Sequence, residues 1–196
     1  MRATLAGVIL AVSMTAANAE SYKGYEMPPF DIVSRQQGYE LRDYAPHLLA
    51  SVIVDGNVRQ SASAGFRKLA EFIFGGNAEG KKIAMTVPVG QVPEGDGFEI
   101  TFMMPARFDL DSLPTPNAKD IRFRWTSPER HAVLRFSGYA TGATLDRRAG
   151  ELREMLKRDG AIILDGPRFA YYDDPFTLPW RRRNEVAFVV ETQPAR

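Results

Sequence analysis

Short runs of apolar and β-branched residues predict β-strands through most of the chain. Residues 32–36 and 39–44 form two such runs around a turn at Gly38, and residues 47–55 form a third run that is rich in Val and Ile. The third run stops at residues 56–57, a Gly-Asn pair of the kind that ends strands. We therefore expect three strands before the first helix.

The apolar residues that come next recur at helical spacing. They lie four, three and four residues apart, which places them on one face of an α-helix, and they are Ala62, Phe66, Leu69 and Ile73. Asn57 can cap the start of this helix. Residues 75–77 (GGN) end it, because glycine tolerates the left-handed geometry of a helix terminus.

The same order of elements comes round a second time. At an offset of 82, Arg42, Pro46, Ala50, Val52, Val54 and Gly56 match Arg124, Pro128, Ala132, Leu134, Phe136 and Gly138. A second helical stripe matches the first at an offset of 83, and its members are Leu145, Ala149, Leu152 and Leu156. A shared order of strand pair, turn and stripe indicates a duplicated unit, with pseudo-repeats at about 39–104 and 121–191.

Each predicted helix is followed by two more strand runs. They are residues 82–92 and 98–104 after the first helix, and residues 168–173 and 185–191 after the second. Residues 105–119 contain three prolines and are predicted to link the halves. The pattern predicts an α+β fold in which a duplicated ββαββ unit forms an antiparallel, barrel-like sheet flanked by two helices.

The first nineteen residues have the pattern of a cleavable signal peptide. Arg2 supplies a positive start, residues 5–14 are apolar, and residues 17–19 (Ala-Asn-Ala) provide the small-x-small cleavage pattern. The apolar stretch is too short to cross a bilayer. We expect cleavage after Ala19 and a periplasmic or secreted product without a membrane anchor. A retained anchor is the alternative.

The composition of the mature chain limits the classes of function that it can have. The length of this chain, residues 20–196, suits one domain with a sizeable core. The full chain has 25 Lys plus Arg and 24 Asp plus Glu, and this balance argues against general attraction to nucleic acid. It contains no cysteine, so no disulfide can support the fold. With 44% hydrophobic residues, the core alone is expected to hold the fold together.

The sequence motifs favour binding over catalysis. Residues 75–81 spell G-x-x-x-x-G-K, but Lys82 stands where a phosphate-binding loop requires Ser or Thr, and the segment follows a helix. We interpret it as a helix stop. No G-x-S-x-G, H-E-x-x-H or Cys–His arrangement is present in the sequence. We therefore expect no enzymatic activity.

The two histidines and two charged clusters leave alternatives open. His131 is predicted to be a surface residue, whereas His47 lies in a more apolar strand setting and is the one candidate metal ligand. Residues 173–174 (Asp-Asp) precede a proline and are expected to shape a loop. Residues 181–183 (Arg-Arg-Arg) lie beside Trp180 and form either a solvated loop or an anion site.

Several motifs in order along the chain resemble the SOUL haem-binding family. They are YELRDY at 39–44, GGN at 75–77, KIAMTVPV at 82–89, FMMP at 102–105, LPTP at 113–116, YDDPF at 172–176 and RRNEV at 182–186. The resemblance extends from about Tyr39 to Glu191. It implies a barrel-like sheet with two flanking helices and the binding of haem or a related tetrapyrrole without chemistry of its own.

The resemblance also implies where the tetrapyrrole lies, between the first helix and the loop before the last strand. The matching positions are Ser63, Phe66, Arg67 and Ala70 on the helix, and Phe176, Leu178, Trp180 and Arg181 in the loop. Apolar groups there would meet the macrocycle, and arginine would meet the propionates. Asp43 stands where one branch of the family has a histidine proposed as axial iron ligand, which leaves His47 as the candidate.

Three functions follow as hypotheses from the sequence. The first is an exported tetrapyrrole-binding protein that acts as carrier, buffer or scavenger. The second is an envelope protein that binds another amphipathic small molecule, because the duplicated architecture resembles the effector-binding domains of some regulators. The third is an interaction protein without a ligand, in which exposed aromatic residues meet a partner.

Overall fold

The computed structural model describes residues 21–191, so the predicted signal peptide lies outside the described residues. Two α-helices are present in this part of the chain, α1 (Val58–Ile73) and α2 (Gly142–Arg158). The strands, in chain order, are β1 (Ser21–Tyr22), β2 (Tyr25–Glu26), β3 (Phe30–Arg35), β4 (Glu40–Tyr44), β5 (Leu48–Asp55), β6 (Val89–Glu94), β7 (Gly97–Met103), β8 (Arg122–Trp125), β9 (Glu129–Phe136), β10 (Ile163–Tyr171) and β11 (Asn184–Val190). Neither helix is long and apolar enough to span a bilayer.

Nine strands form one curled antiparallel sheet in the order β3-β4-β9-β11-β10-β6-β7-β5-β8, and β1 pairs separately with β2. The two helices flank this sheet, so the predicted α+β class with a barrel-like antiparallel sheet is confirmed. The sheet is a half-barrel and is not closed, because β3 and β8 each have one unpaired edge. Arginines at positions 122 and 124 of β8 are exposed, and charged side chains of this kind discourage pairing with another chain.

The two halves of the sheet exchange their outer strands. β4 belongs to the first half of the chain but pairs with β9 of the second half, whereas β8 of the second half pairs with β5 of the first. At the centre, β10 pairs with β6 and joins the halves again. Each half therefore completes the sheet of the other.

Helix α2 packs as the sequence predicts. All four residues of its apolar stripe, Leu145, Ala149, Leu152 and Leu156, are buried in one core cluster with side chains of β9, β10 and β11. The hydroxyl of Thr141 caps the start of the helix by accepting from the backbone amide of Thr144. The period of the stripe thus identified the buried face correctly.

Helix α1 is rotated relative to the predicted stripe. Leu69 and Ile73 are buried, but Phe66 is 37% exposed and lies at the edge of the core. The buried face instead passes through Gly65, where a Cβ atom would overlap the side chain of Ile100 on β7. Because glycine allows this close approach of helix to sheet, α1 turns its Phe66 side toward solvent.

The ends of α1 agree with the sequence prediction. The side-chain oxygen of Asn57 accepts from the amides of Arg59 and Gln60 at 3.1 and 3.0 Å, which forms the expected N-cap. Phe74 caps the other end, and Gly75 follows with a left-handed φ of 111°. Residues 75–81 therefore act as a helix stop, and no helix follows them to form a phosphate-binding loop.

The strand predicted at residues 82–92 is too long. β6 begins only at Val89, and the segment before it runs irregularly. Pro88 has no amide hydrogen to extend the ladder. The polar groups of the irregular segment find other partners, since the Thr86 hydroxyl donates to the Met103 carbonyl at 2.6 Å and the Val87 amide donates to the Glu26 carbonyl at 3.0 Å.

Candidate functional site

The four helix residues predicted to bind a ligand form one stripe on α1. Ser63, Phe66, Arg67 and Ala70 follow each other at helical spacing, so their side chains share one side of the helix. Ser63 and Arg67 are exposed, Phe66 is partly exposed and Ala70 is buried. The Phe66 ring packs on Phe102 of β7, with ring centroids 5.5 Å apart. Three of the four residues can therefore contact a ligand.

An open groove of about 710 Å³ runs along the N-terminal half of this stripe. Its lining residues are Asp55, Asn57, Arg59, Gln60, Ser63, Ala64 and Arg67. The volume is within the range of about 300–1,000 Å³ typical of cofactor sites. Six of the seven lining residues are polar or charged, but carbon atoms make up the larger part of the exposed lining. The groove can therefore contact both apolar and polar parts of a ligand.

The loop between β10 and β11 is held in one shape by local hydrogen bonds. Asp174 Oδ1 accepts from the amides of Phe176 and Thr177 at 2.7 and 2.9 Å. Arg182 donates through Nε to the Thr177 carbonyl at 2.8 Å and through Nη2 to the Pro175 carbonyl at 2.6 Å. The expected loop-shaping role of this acidic pair is therefore seen at Asp174.

This ordered loop presents apolar side chains to solvent. Phe176 is 93% exposed, Leu178 is 46% exposed and Trp180 is 69% exposed. Arg181 is exposed beside them and makes no ion pair with any described residue. Large apolar groups grouped on the surface of a folded protein commonly mark a binding site.

The strand that packs under Phe66, β7, and the strand that leads into the loop, β10, lie two positions apart in the sheet. Phe102, which contacts Phe66, pairs with Val89 of β6, and Val89 pairs with Tyr171 at the end of β10, just before the loop. At about 4.8 Å between neighbouring strands, this separation is about 10 Å. No hydrogen bond or ion pair links α1 to residues 176–181 within the described chain.

The far end of the loop instead contacts the second half of the chain. The Pro179 carbonyl accepts from the amide of Gly138 at 2.9 Å, and the Asn184 side chain donates to the Gly138 carbonyl at 3.1 Å. Trp180 and Arg181 are therefore held close to the β9–α2 connection. The structure therefore places Trp180 and Arg181 of the predicted site beside α2.

A buried charge cluster, unpredicted as a functional feature, anchors the base of the loop. The Glu185 carboxylate accepts from Arg42 at 3.0 and 3.2 Å, from Arg183 at 2.7 and 2.9 Å, and from the Tyr172 hydroxyl at 2.9 Å. Burial by itself would raise the pKa of Glu185, but the two guanidinium groups outweigh it and hold the pKa below its ordinary value. The cluster ties both ends of the loop to β4.

The sequence contains a signal for this cluster in the motifs YELRDY, YDDPF and RRNEV, which supply its members. The ion pair between Arg42 and Glu185 joins residues that are 143 positions apart, so the spacing of residues along the chain does not predict it. Burial also raises the pKa of Tyr44, whose hydroxyl accepts from Arg42 at 3.3 Å, to about 12. Tyr44 and Tyr172 therefore stay protonated across the physiological range.

The candidate iron ligand His47 contacts neither the predicted binding residues of α1 nor those of the loop among its hydrogen bonds and ring contacts. Its Nδ1 is 2.9 Å from the Ala45 carbonyl and 3.2 Å from Thr126 Oγ1, and its ring lies near Tyr44. Burial lowers the pKa of the imidazole, which keeps it neutral as metal ligation requires. Ligation by His47 remains a hypothesis.

Other potential metal ligands are already engaged in protein contacts. Asp43 accepts two hydrogen bonds from Arg130, at 2.6 and 2.7 Å. His131 lies 2.9 Å from a Glu129 carboxylate oxygen. Within residues 21–191, no three His, Cys, Asp or Glu side chains are grouped to hold a metal ion by themselves.

Comparison with protein families gives one match over most of the chain. A family model described as SOUL heme-binding protein matches residues 25–189. Heme-binding protein 2 of Mus musculus is 28% identical over 192 residues, covering 91% of this chain and 93% of the mouse protein. Heme-binding protein 1 of Bos taurus is 27% identical over 148 residues, covering 72% of this chain and 76% of the bovine protein.

Similar folds are found among solved structures at low identity. A hydrolase from Listeria innocua matches with a TM-score of 0.56 at 9% identity, covering 81% of this chain and 94% of the hydrolase. The EcmrR C-terminal domain matches with a TM-score of 0.56 at 15% identity, covering 79% of this chain and 99% of that domain. At these identities the likeness describes the fold alone.

Proposed function

The chain belongs to the SOUL heme-binding protein family, and from this premise we propose that it binds haem or a related tetrapyrrole in the periplasm without catalysing a reaction. In this proposal the protein acts as a carrier, buffer or scavenger. The observation that carries the proposal is the family match over residues 25–189, together with heme-binding relatives about 28% identical along nearly the whole chain.

The surface chemistry supports a tetrapyrrole as the ligand. Phe66, Phe176 and Trp180 offer exposed aromatic surface that a macrocycle could cover. Arg67 and Arg181 are exposed next to them and could pair with propionates. The strand under Phe66 and the strand that leads into the loop lie about 10 Å apart in the sheet, and in this proposal a planar ligand bridges α1 and the loop.

Iron ligation is expected to contribute little. Neither α1 nor residues 176–181 contain a His, Met, Cys or Tyr, which are the side chains that hold haem iron in proteins. Haem bound at this site would be held mainly by apolar contact and by arginine. We expect micromolar affinity, about −8 kcal/mol, and a broad, shifted Soret band.

Titration of the mature chain, residues 20–196, with haem and with iron-free protoporphyrin tests the proposal. We expect both to bind with similar affinity, because the macrocycle and not the iron is held. Failure of both to bind at micromolar concentration would contradict tetrapyrrole binding and favour a different amphipathic ligand. Haem binding that is lost in His47→Ala but kept in His131→Ala would instead identify His47 as an axial ligand.

The proposed location rests on the signal-peptide pattern of residues 1–19, with cleavage after Ala19. Intact-mass measurement on a fractionated culture tests it. The proposal expects a soluble periplasmic or secreted product that begins at Glu20. Recovery of the full-length chain from membranes would refute it.

A further inference from the structure

A second groove lies between the loop and α2. It has a volume of about 470 Å³ and is lined by Arg135, Phe136, Ser137, Arg148, Trp180, Arg181 and Arg182. Four of these seven residues are arginines and none is acidic. We call it the arginine groove. Such an accumulation of one charge in a concave surface attracts anions.

The arginines of the groove are only partly satisfied by the protein. Arg148 donates through Nη1 to Glu151 at 2.7 Å, and its guanidinium lies 5.5 Å from the centroid of the Phe136 ring. Its Nε is shielded from solvent and has no hydrogen-bond partner among the described residues. Because the shielded Nε offers no surface to a ligand, the donor of Arg148 left for one is Nη2, which makes no hydrogen bond within residues 21–191.

The two groove arginines of the loop, Arg181 and Arg182, have different roles. Arg182 is committed to the backbone of the loop through its bonds to Thr177 and Pro175. Arg181 is exposed and has no ion-pair partner within residues 21–191. Arg135 is also exposed and makes no side-chain hydrogen bond or ion pair within residues 21–191, so Arg135, Arg148 and Arg181 all have donors left over for a ligand.

The indole of Trp180 gives the groove a flat apolar wall. It is 69% exposed, although the backbone that carries it is held in a short helical turn, Pro179–Arg181, which is tied to Gly138. A planar ring that stacks on this indole would place an attached acidic group beside the arginines. Arginine binds carboxylates well because its planar fork donates two parallel hydrogen bonds.

We propose that the arginine groove binds the carboxylate of a planar organic acid, with Arg148 and Arg181 on the carboxylate and Trp180 on the ring. The proposal shares Trp180 and Arg181 with the proposed haem site, but it does not require haem to bind at α1. The same chemistry could come from a free aromatic acid or from the propionate edge of a porphyrin. Both sources are therefore tested.

Tryptophan fluorescence provides the assay. The chain has two tryptophans, and Trp125 lies on the edge strand β8, so Trp125→Phe leaves Trp180 as the only reporter. In this background, the mature protein is titrated with benzene-1,2-dicarboxylate and with protoporphyrin, each beside its dimethyl ester. We expect the acids to quench Trp180 with affinity that falls as salt is added, and the esters to bind at least tenfold more weakly.

Arginine variants decide whether the groove is the site. Arg148→Gln and Arg181→Gln should each weaken binding of the acid at least tenfold. Arg147→Gln is the matched control, because Arg147 pairs with the same Glu151 at 3.1 Å but does not line the groove. It should change affinity less than twofold.

The outcomes separate this proposal from haem binding. A dependence on Arg148 and Arg181 for the benzene acid, the porphyrin or both supports the groove and identifies the source. Equal losses in the Arg147 and Arg148 variants, or no loss in either, would overturn it. Haem binding that survives Arg148→Gln, with no acid bound by the wild-type protein, would refute the groove and leave the proposed function intact.

Discussion

Replacing Phe66 by Asp is the sharpest test of the haem seat on α1. The side chain of Phe66 is 37% exposed, and a phenylalanine side chain of roughly 200 Å² then leaves about 75 Å² for a ligand to cover. At about 25 cal/mol per Å², full coverage would contribute about 1.9 kcal/mol. The substitution removes this contact and adds a negative charge close to the propionates. We therefore expect at least a tenfold loss of affinity, which is about 1.4 kcal/mol.

The assay is a Soret absorbance titration of the wild-type and Phe66→Asp proteins at neutral pH. Circular dichroism and thermal melting check that the variant is folded, which is expected because Phe66 lies at the edge of the core. Phe74→Asp is the matched control. Phe74 caps the same helix and is 56% exposed, but it lies outside the predicted seat, so its substitution should leave haem affinity within about twofold of the wild type.

Unchanged haem affinity in a folded Phe66→Asp protein would refute the reasoning. The site would then lie away from α1, and the positions assigned to it would be wrong even though the family assignment stands. Equal losses in both variants would indicate a general effect of negative charge. Only a loss confined to Phe66→Asp supports direct contact.

Three further predictions follow from the exchange of strands, the packing of α1 and the buried charges. Residues 37–112 expressed alone should show no cooperative melt by circular dichroism, because β4 loses its partner β9 and β5 loses β8; a cooperative monomeric melt would contradict this. Gly65→Ala should destabilise the protein by about 1–3 kcal/mol in urea unfolding, whereas Gly150→Ala, with open space around its Cβ position, should stabilise it by about 0.4–1 kcal/mol. Glu185→Gln should cost about 3–5 kcal/mol at pH 7, because it removes the buried carboxylate that pairs with both Arg42 and Arg183 and leaves Arg42 only its partly exposed partner Glu40. As the folded-state pKa of Glu185 is depressed, its contribution is present above the unfolded value of about 4.3 and should be lost on acidification below it, a slope that the variant should lack.

The fold could be predicted from the sequence because its helices and strands have periodic patterns of apolar residues. The stripe of α2 is uninterrupted, and all four of its residues are buried as expected. The prediction of the buried face of α1 was less accurate. Gly65 has no side chain and so does not contribute to a hydrophobic pattern, yet it lies in close contact with Ile100 on β7. The exchange of β4 and β8 between the halves involves pairings about 80 residues apart, which local spacing does not encode.

The candidate site was harder to predict from the sequence, again because its residues are far apart along the chain. The family resemblance points to Phe66 and Trp180, but the arginine groove combines the end of β9, the middle of α2 and the 180–182 loop. No periodic pattern connects Arg148 with Arg181. Only the fold shows that the loop and α2 together form a basic groove.

The buried cluster around Glu185 connects stability with binding. A buried ion pair usually adds little net stability, because the cost of removing charges from water offsets their attraction. Here the pairs with Glu185 fix both ends of the loop, through Tyr172 on one side and Arg183 on the other, to Arg42 on β4. A loop held in this way loses little conformational entropy when a ligand covers Phe176 and Trp180. The cluster is therefore best understood as the part of the molecule that pre-forms its binding surface, and the exposed aromatic residues are the part that uses it.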